Sequence, residues 1–344
     1  MIFPVMNSRF RAIRLLWICL VVCALPLAAQ KKKDQLQKPI AGPRATALRV
    51  TWLYVSASLD SQKVDRVQIG RELVIAEKSG DWLRVFANTD VEEEHAADQP
   101  IFDTNDVPPP ISGWMQAKGV VIESTPNGDQ ILMGAAAEQE SLASDPRGPL
   151  NAARTAHLLY QRLADMYPNS PLAAEAAWRA ADITWQIQKA DAASRPSAKE
   201  QAAYLREQID EDPLKHVIKN FPHTRQADLA SFELLDNKLC GDWQGQEKCP
   251  EKESEIYEKY AAEHPDGPKT AQALYLAVYR QAVLTDMYGA DNNDKKSEAA
   301  HAHARDLAGR LRDKFPQSDY TVRATMLVFK LDQGIPVYGI ERQQ

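Results

Sequence analysis

Cys240 and Cys249 stand nine positions apart in the stretch LCGDWQGQEKCP, and the other two cysteines, Cys19 and Cys23, lie in an apolar N-terminal run. A nucleophilic thiol needs a base beside it, and a metal pair favours a C-x-x-C spacing. Neither Cys240 nor Cys249 has a histidine close in sequence, and their spacing is not C-x-x-C. An even pair outside the reducing cytosol is therefore expected to be a disulfide, with a reactive thiol or half a metal site as the alternatives. Closing a loop of that size contributes about 2.5–3 kcal/mol when the effect is treated as chain entropy.

Other reactive residue types are weaker still. His301 and His303, in AAHAHARD, are two apart and point to different sides of a helix, whereas helical metal ligands sit three or four apart. DNNDKKSE, from 291, lacks the glycine that turns a calcium loop and reads as an ordinary loop. No phosphate-cradling glycine loop, zinc motif or nucleophile elbow is present. The sequence thus offers no catalytic constellation, no metal site and no cofactor. A formal charge of −6 gives no basic face for nucleic acid.

What positions the remaining candidates begins with the ends of the chain. Arg9, Arg11 and Arg14 precede LLWICLVVCALPLAA, the order of an export signal, with Ala28 and Ala29 before Gln30 as a cleavage point. The apolar run is short for a membrane span and holds Pro26. The reading is a signal peptide over 1–29, with an uncleaved anchor as the alternative. After cleavage no membrane span is expected, and the location is periplasmic or extracellular.

A polar linker, 30–44, leads into a β-rich region over 45–123. In ALRVTWLYVSAS the apolar and aromatic residues alternate, and Ser79-Gly80 separates two apolar strands as in a hairpin. The run GRELVIAEKSGDWLRV followed by GWMQAKG resembles the bacterial SH3 domain, which implies a small β-barrel that binds cell-wall peptides or proteins. Trp52, Tyr54, Trp82 and Trp114 are the ligand-binding candidates, at least two of them expected in the core. An acidic, Pro-rich insertion over 88–111, with no Lys or Arg, reads as a solvated loop.

After a linker over 124–149, residues 150–333 read as helices that stop and restart. Aromatic-Pro or His-Pro recurs at Pro168, Pro222, Pro265 and Pro316. Eight positions after each proline stands an alanine (Ala176, Ala230, Ala273, Ala324), and ten after stand Trp178, Phe232, Tyr275 and Met326. Ser170, Thr224, Gly267 and Ser318, two after each proline, are acceptable N-caps. Helix pairs that cannot bury their own faces stack into a solenoid. The pattern is similar to tetratricopeptide repeats, above all the YPNSP-x-A-x-x-A variety of outer-membrane-assembly lipoproteins and Tol-Pal-associated periplasmic proteins. The alanines and bulky residues are expected to pack the repeats, and Ser197 with Glu200 to start a helix within an insertion. Residues 334–344 form a tail.

Together these features predict a β + α chain: an SH3-like barrel followed by an all-α, tetratricopeptide-like solenoid. The expected function is a non-enzymatic adapter whose partners are an envelope protein and peptidoglycan. Wall hydrolases are the competing class. The sequence around Cys240 lacks the Asp-Cys-Ser-Gly signal of a wall peptidase. Glu138 and Glu140 lack the Gly-Leu-Met-Gln segment that follows a transglycosylase's acid. The third class is a purely structural assembly factor, whose sheet packs on its own repeats.

Overall fold

A computed structural model describes residues 40–87, 89–90 and 110–338. The leader at 1–29, most of the first linker, most of the 88–111 insertion and the last six residues of the tail lie outside the described residues. The described residues from Pro43 onward form one compact unit.

Seven strands come first: β1 (Arg44–Ala47), β2 (Thr51–Tyr54), β3 (Lys63–Val67), β4 (Glu72–Ser79), β5 (Trp82–Ala87), β6 (Ile111–Gln116) and β7 (Val120–Ile122). They pair antiparallel in the order β3-β2-β6-β5-β4-β1-β7. The expected hairpin is β4–β5, with Ser79 opposite Trp82. Alternation puts Leu53, Leu73, Leu83, Val85 and Met115 on one face, where they form a buried core. Gly113 is needed there, because a Cβ on it would sit 2.9 Å from the Leu53 Cβ on the neighbouring strand.

Closure of a barrel is not seen: among the described residues β3 and β7 remain the two edges of the sheet. The β7 edge is occupied instead. Thr125 Oγ1 accepts from the Ile122 N–H at 2.9 Å, and the Tyr167 hydroxyl donates to the Ile122 carbonyl at 2.8 Å. A strand edge satisfied by side chains no longer recruits another strand.

Nine helices follow among the described residues: α1 (Gly128–Ala143), α2 (Ala152–Met166), α3 (Ala173–Ser194), α4 (Asp212–Asn220), α5 (Arg225–Glu233), α6 (Lys248–Glu263), α7 (Thr270–Ala290), α8 (Asp294–Lys314) and α9 (Asp319–Asp332). The stretch 124–149 is not a plain linker, since α1 lies in it and packs on α2. Leu132 and Ala136, one turn apart, are buried against Val121, Leu159 and Tyr160. Nor is the segment from 291 a plain loop. Asn293 caps α8 by accepting from the Lys296 N–H.

The four helix stops share one geometry. Tyr167, Phe221, His264 and Phe315 have φ between −123° and −128° and ψ between 53° and 61°. The N–H of each donates to the carbonyl four residues back. Proline disfavours the helical region for the residue before it, so each helix ends two positions before its proline. The restarts differ. Thr224 and Ser318 cap α5 and α9 with their side chains. In the copies with a second proline, Pro171 and Pro268, the chain first makes a tight turn, with Ala173 N–H to Ser170 O and Thr270 N–H to Gly267 O. There α3 and α7 begin later, so Ser170 and Gly267 are not the caps.

Ser197 and Glu200 likewise start no α-helix. The segment makes only a 3-10 turn, Pro196–Lys199, and the Lys199 carbonyl accepts from Asp242 N–H of the cysteine loop.

Candidate functional site

Residues directly opposite on paired antiparallel strands project to the same face. The register places Tyr54 opposite Trp114, Trp114 opposite Arg84, and Trp52 opposite Arg66. These side chains share the face of the sheet opposite its core, with Trp82 two residues along from Arg84. The rings of Tyr54 and Trp82 meet edge to face at 5.7 Å. Lys63 Nζ lies 4.6 Å from the centre of the Trp52 ring and the Arg66 guanidinium 5.4 Å from it. Trp52 is 38% exposed, Trp82 and Trp114 are half-buried, and Tyr54 is buried. The four candidates thus converge on one face, in graded exposure, with three cations among them.

Chemically, flat rings flanked by Lys63, Arg66 and Arg84 suit an extended ligand bearing carboxylates. Stacking and cation–π contact would hold its apolar parts, and the guanidinium groups its acids. These residues lie on β2, β3, β5 and β6, whereas the helices meet the other end of the sheet, at β1, β7 and the start of β4.

That junction is a second cluster, which sequence reasoning missed. Arg162 on α2 is 2% exposed and faces Glu72 at 3.3 Å, Asp90 at 3.5 Å and Asp165 at 3.5 Å. Arg44 adds a 2.7 Å contact to Glu72, the Thr89 hydroxyl donates to Glu72, and Asp90 accepts from the Glu72 N–H. Asp90 was expected in a solvated acidic loop. It is buried because it helps neutralise Arg162. Burial raises the Asp165 pKa above the ordinary carboxyl range, against the pull of Arg162. Beside the cluster Gly70 has φ +82°, and a Cβ there would stand 2.8 Å from the Leu158 Cβ of α2.

In the helices, Ala176, Ala230, Ala273 and Ala324 are all buried. Trp178 packs on the core that contains Leu214 and Val217. The Phe232 ring meets Tyr260 at 5.2 Å, and Tyr275 meets Tyr320 at 5.6 Å. These three bulky residues therefore contact the following helix pair, whereas Met326, in the last copy, is exposed.

The sulfurs of Cys240 and Cys249 are at bonding distance, with Cα atoms 5.9 Å apart. Their loop is docked on α6 and α7. Buried Glu253 accepts from the Cys240 N–H and the Trp243 Nε1–H and pairs with Arg280 at 3.0 Å. The Arg280 guanidinium in turn lies 5.1–5.3 Å from the rings of Trp243, Tyr257 and Tyr279. No sequence motif announces this arrangement, since Glu253 reads as one more helical surface acid.

Glu138 is exposed, and Glu140 accepts from the Tyr160 hydroxyl and from Arg179 at 2.8 Å. That carboxylate is held as an acceptor, and its contact raises the Tyr160 pKa, after burial. His301 pairs with Asp332 and His303 with Glu258. Among the described residues no group of three or more His, Cys, Asp or Glu is arranged for a metal, and no helix is long and apolar enough to cross a membrane.

No known protein family matches the chain. No curated protein matches it either.

Proposed function

We propose that this protein is an exported, non-enzymatic adapter of the bacterial envelope. Its SH3-like sheet grips an extended, carboxylate-bearing segment of cell-wall peptide or protein, and its tetratricopeptide-like helices hold a protein partner. The observation that carries the reading is the convergence of Trp52, Tyr54, Trp82 and Trp114 with Lys63, Arg66 and Arg84 on one face, away from the helical junction. Binding of this kind works by a preformed surface and needs no bond chemistry.

Co-sedimentation of the protein with purified wall sacculi tests it, with released muropeptides assayed in the same tubes. Wild type is expected to pellet, and Trp52→Ala combined with Arg84→Glu to lose at least about tenfold in affinity, as for the loss of an aromatic anchor and a charge contact. No fragments are expected in the supernatant. Pelleting unaffected by both substitutions would remove the face from the proposal, and released fragments would return the wall hydrolases to first place.

The second reading, a purely structural assembly factor, draws on the buried Arg162 junction between sheet and helices. It expects no pelleting by wild type.

A further inference from the structure

The repeat-to-repeat contacts define what each helix pair offers to the next. Ten positions after the proline, Trp178, Phe232 and Tyr275 each pack on the following pair. Thirteen after, Ala181, Leu235 and Val278 are buried in the same cores. Six after, Asp228 accepts from His264 Nδ1 at 2.8 Å, again across to the following pair.

In the fourth copy these positions are Val322, Met326 and Phe329 on α9. All three are exposed, at 67%, 44% and 59%. They line a groove of about 480 Å³ together with Arg312, Thr321 and Thr325. The described part of the C-terminal tail does not cover it. The N–H groups of Val337 and Tyr338 donate to Asp286 of α7, and the Tyr338 ring lies 5.9 Å from Trp243.

We propose that this open end is the dimer interface of the protein, with α9 of one copy packed antiparallel on α9 of a second. Three observations select a second copy as the occupant. The face continues the stacking surface that the chain has already used at its three internal repeat junctions. Its residues follow the i, i+4, i+7 spacing of a helix–helix seam. It is also self-complementary about a two-fold axis at Met326. Val322 stands four residues before Met326 and Phe329 three after it, so each small side chain meets the partner's large one. The acidic first turn with Asp319 then approaches the last turn, which carries Lys330.

Sedimentation of the protein, purified as its cells process it, gives the test. The wild-type mass is expected to rise from one to two protomers with concentration. Met326→Glu is expected to stay at one protomer over the same range with unchanged circular dichroism. Met326→Cys places a thiol on the two-fold axis and is expected to form a disulfide-linked dimer under mild oxidation. Lys259→Cys, an exposed position on α6, is expected to remain monomeric on the same gel. Wild type run beside them accounts for Cys19 and Cys23. A single-protomer mass for wild type at every concentration would overturn the proposal, leaving the face to a helix of another protein. A dimer that survives Met326→Glu, or one that Met326→Cys fails to cross-link, would overturn it as well.

Discussion

Glu233 ends α5, and its carboxyl pKa is pushed up to about 8, first by burial, then by the hydrogen-bonded carboxyl of Asp182 and the charge of Asp236, with Lys269 pulling the other way. A folded-state pKa above the unfolded one gives stability that is complete below the ordinary value near 4.5 and lost as pH rises through about 8. Glutamine mimics the protonated acid. Glu233→Gln is therefore expected to leave thermal stability unchanged at pH 4 and to raise it at pH 9. Allowing for partial exposure, the gain is about 1–2 kcal/mol, a few degrees in a melt. Equal shifts at both pH values would sink the idea. Such a site is not visible in the sequence, because Asp182 and Glu233 lie on different helices. Arg162 and Glu253 are hidden for the same reason: the partners that bury them sit on other elements, the strand and loop residues Glu72 and Asp90 for Arg162 and the cysteine loop with Arg280 of α7 for Glu253, and charged residues read by default as surface. The aromatic quartet was partly legible. Alternation puts Trp52 and Tyr54 on one face, but Trp82 and Trp114 join them through strand pairing, and how deeply Tyr54 sinks relative to Trp52 depends on neighbours that periodicity does not specify.

At the scale of elements, legibility follows how local the cause is. The four helix stops need only a proline and its predecessor, so they could be placed from sequence to within a residue. The hairpin at Ser79-Gly80 is of the same kind. Helix α1 escaped although Asn127, Asp129 and Gln130 supply start signals, because little apolar periodicity follows them. Asn127 precedes it in a left-handed conformation with φ 53° and makes no side-chain cap, and its buried stripe rests on little more than Leu132 and Ala136. The capping-box pattern at Ser197 and Glu200 failed for the opposite reason. A local signal was present, but docking of the Cys240–Cys249 loop claimed the Lys199 carbonyl that an α-helix would need. The recurring alanine also makes an element-scale claim, that the second helix of each pair approaches too closely for a larger side chain. Ala230→Leu, at a fully buried position, is expected to cost about 1–3 kcal/mol by overpacking. Urea unfolding would measure it, and a neutral or stabilising result would mean that α5 has room to move.

The whole molecule raises the question of whether sheet and helices act as one body. Val121 shares its core with Leu132, Leu159 and Tyr160, Gly70 lets α2 approach, and Tyr167 closes on the Ile122 carbonyl. Arg162 sits where these contacts meet. Removing one member of a buried ion cluster leaves the others as unpaired charge, at about 3–5 kcal/mol. For Arg162→Met the loss is expected at the low end of that range, because Arg44 at 2.7 Å from Glu72 and Arg71 at 3.8 Å from Asp90 remain as counter-charges. Chemical denaturation should show wild type unfolding in one transition and the variant at lower denaturant, with the sheet released first. The same variant shows whether the aromatic face binds independently of the junction. If Trp52, Trp114 and Arg84 bind on their own, sacculus pelleting survives Arg162→Met under conditions where the sheet stays folded, because Trp52 and Trp114 lie two or more strands from β4, and Arg84 pairs with Glu77, five residues along β4 from Glu72. Loss of pelleting from a folded variant would instead mean that the helices fix the sheet in its binding orientation. The junction would then belong to the binding function, as it already belongs to the architecture.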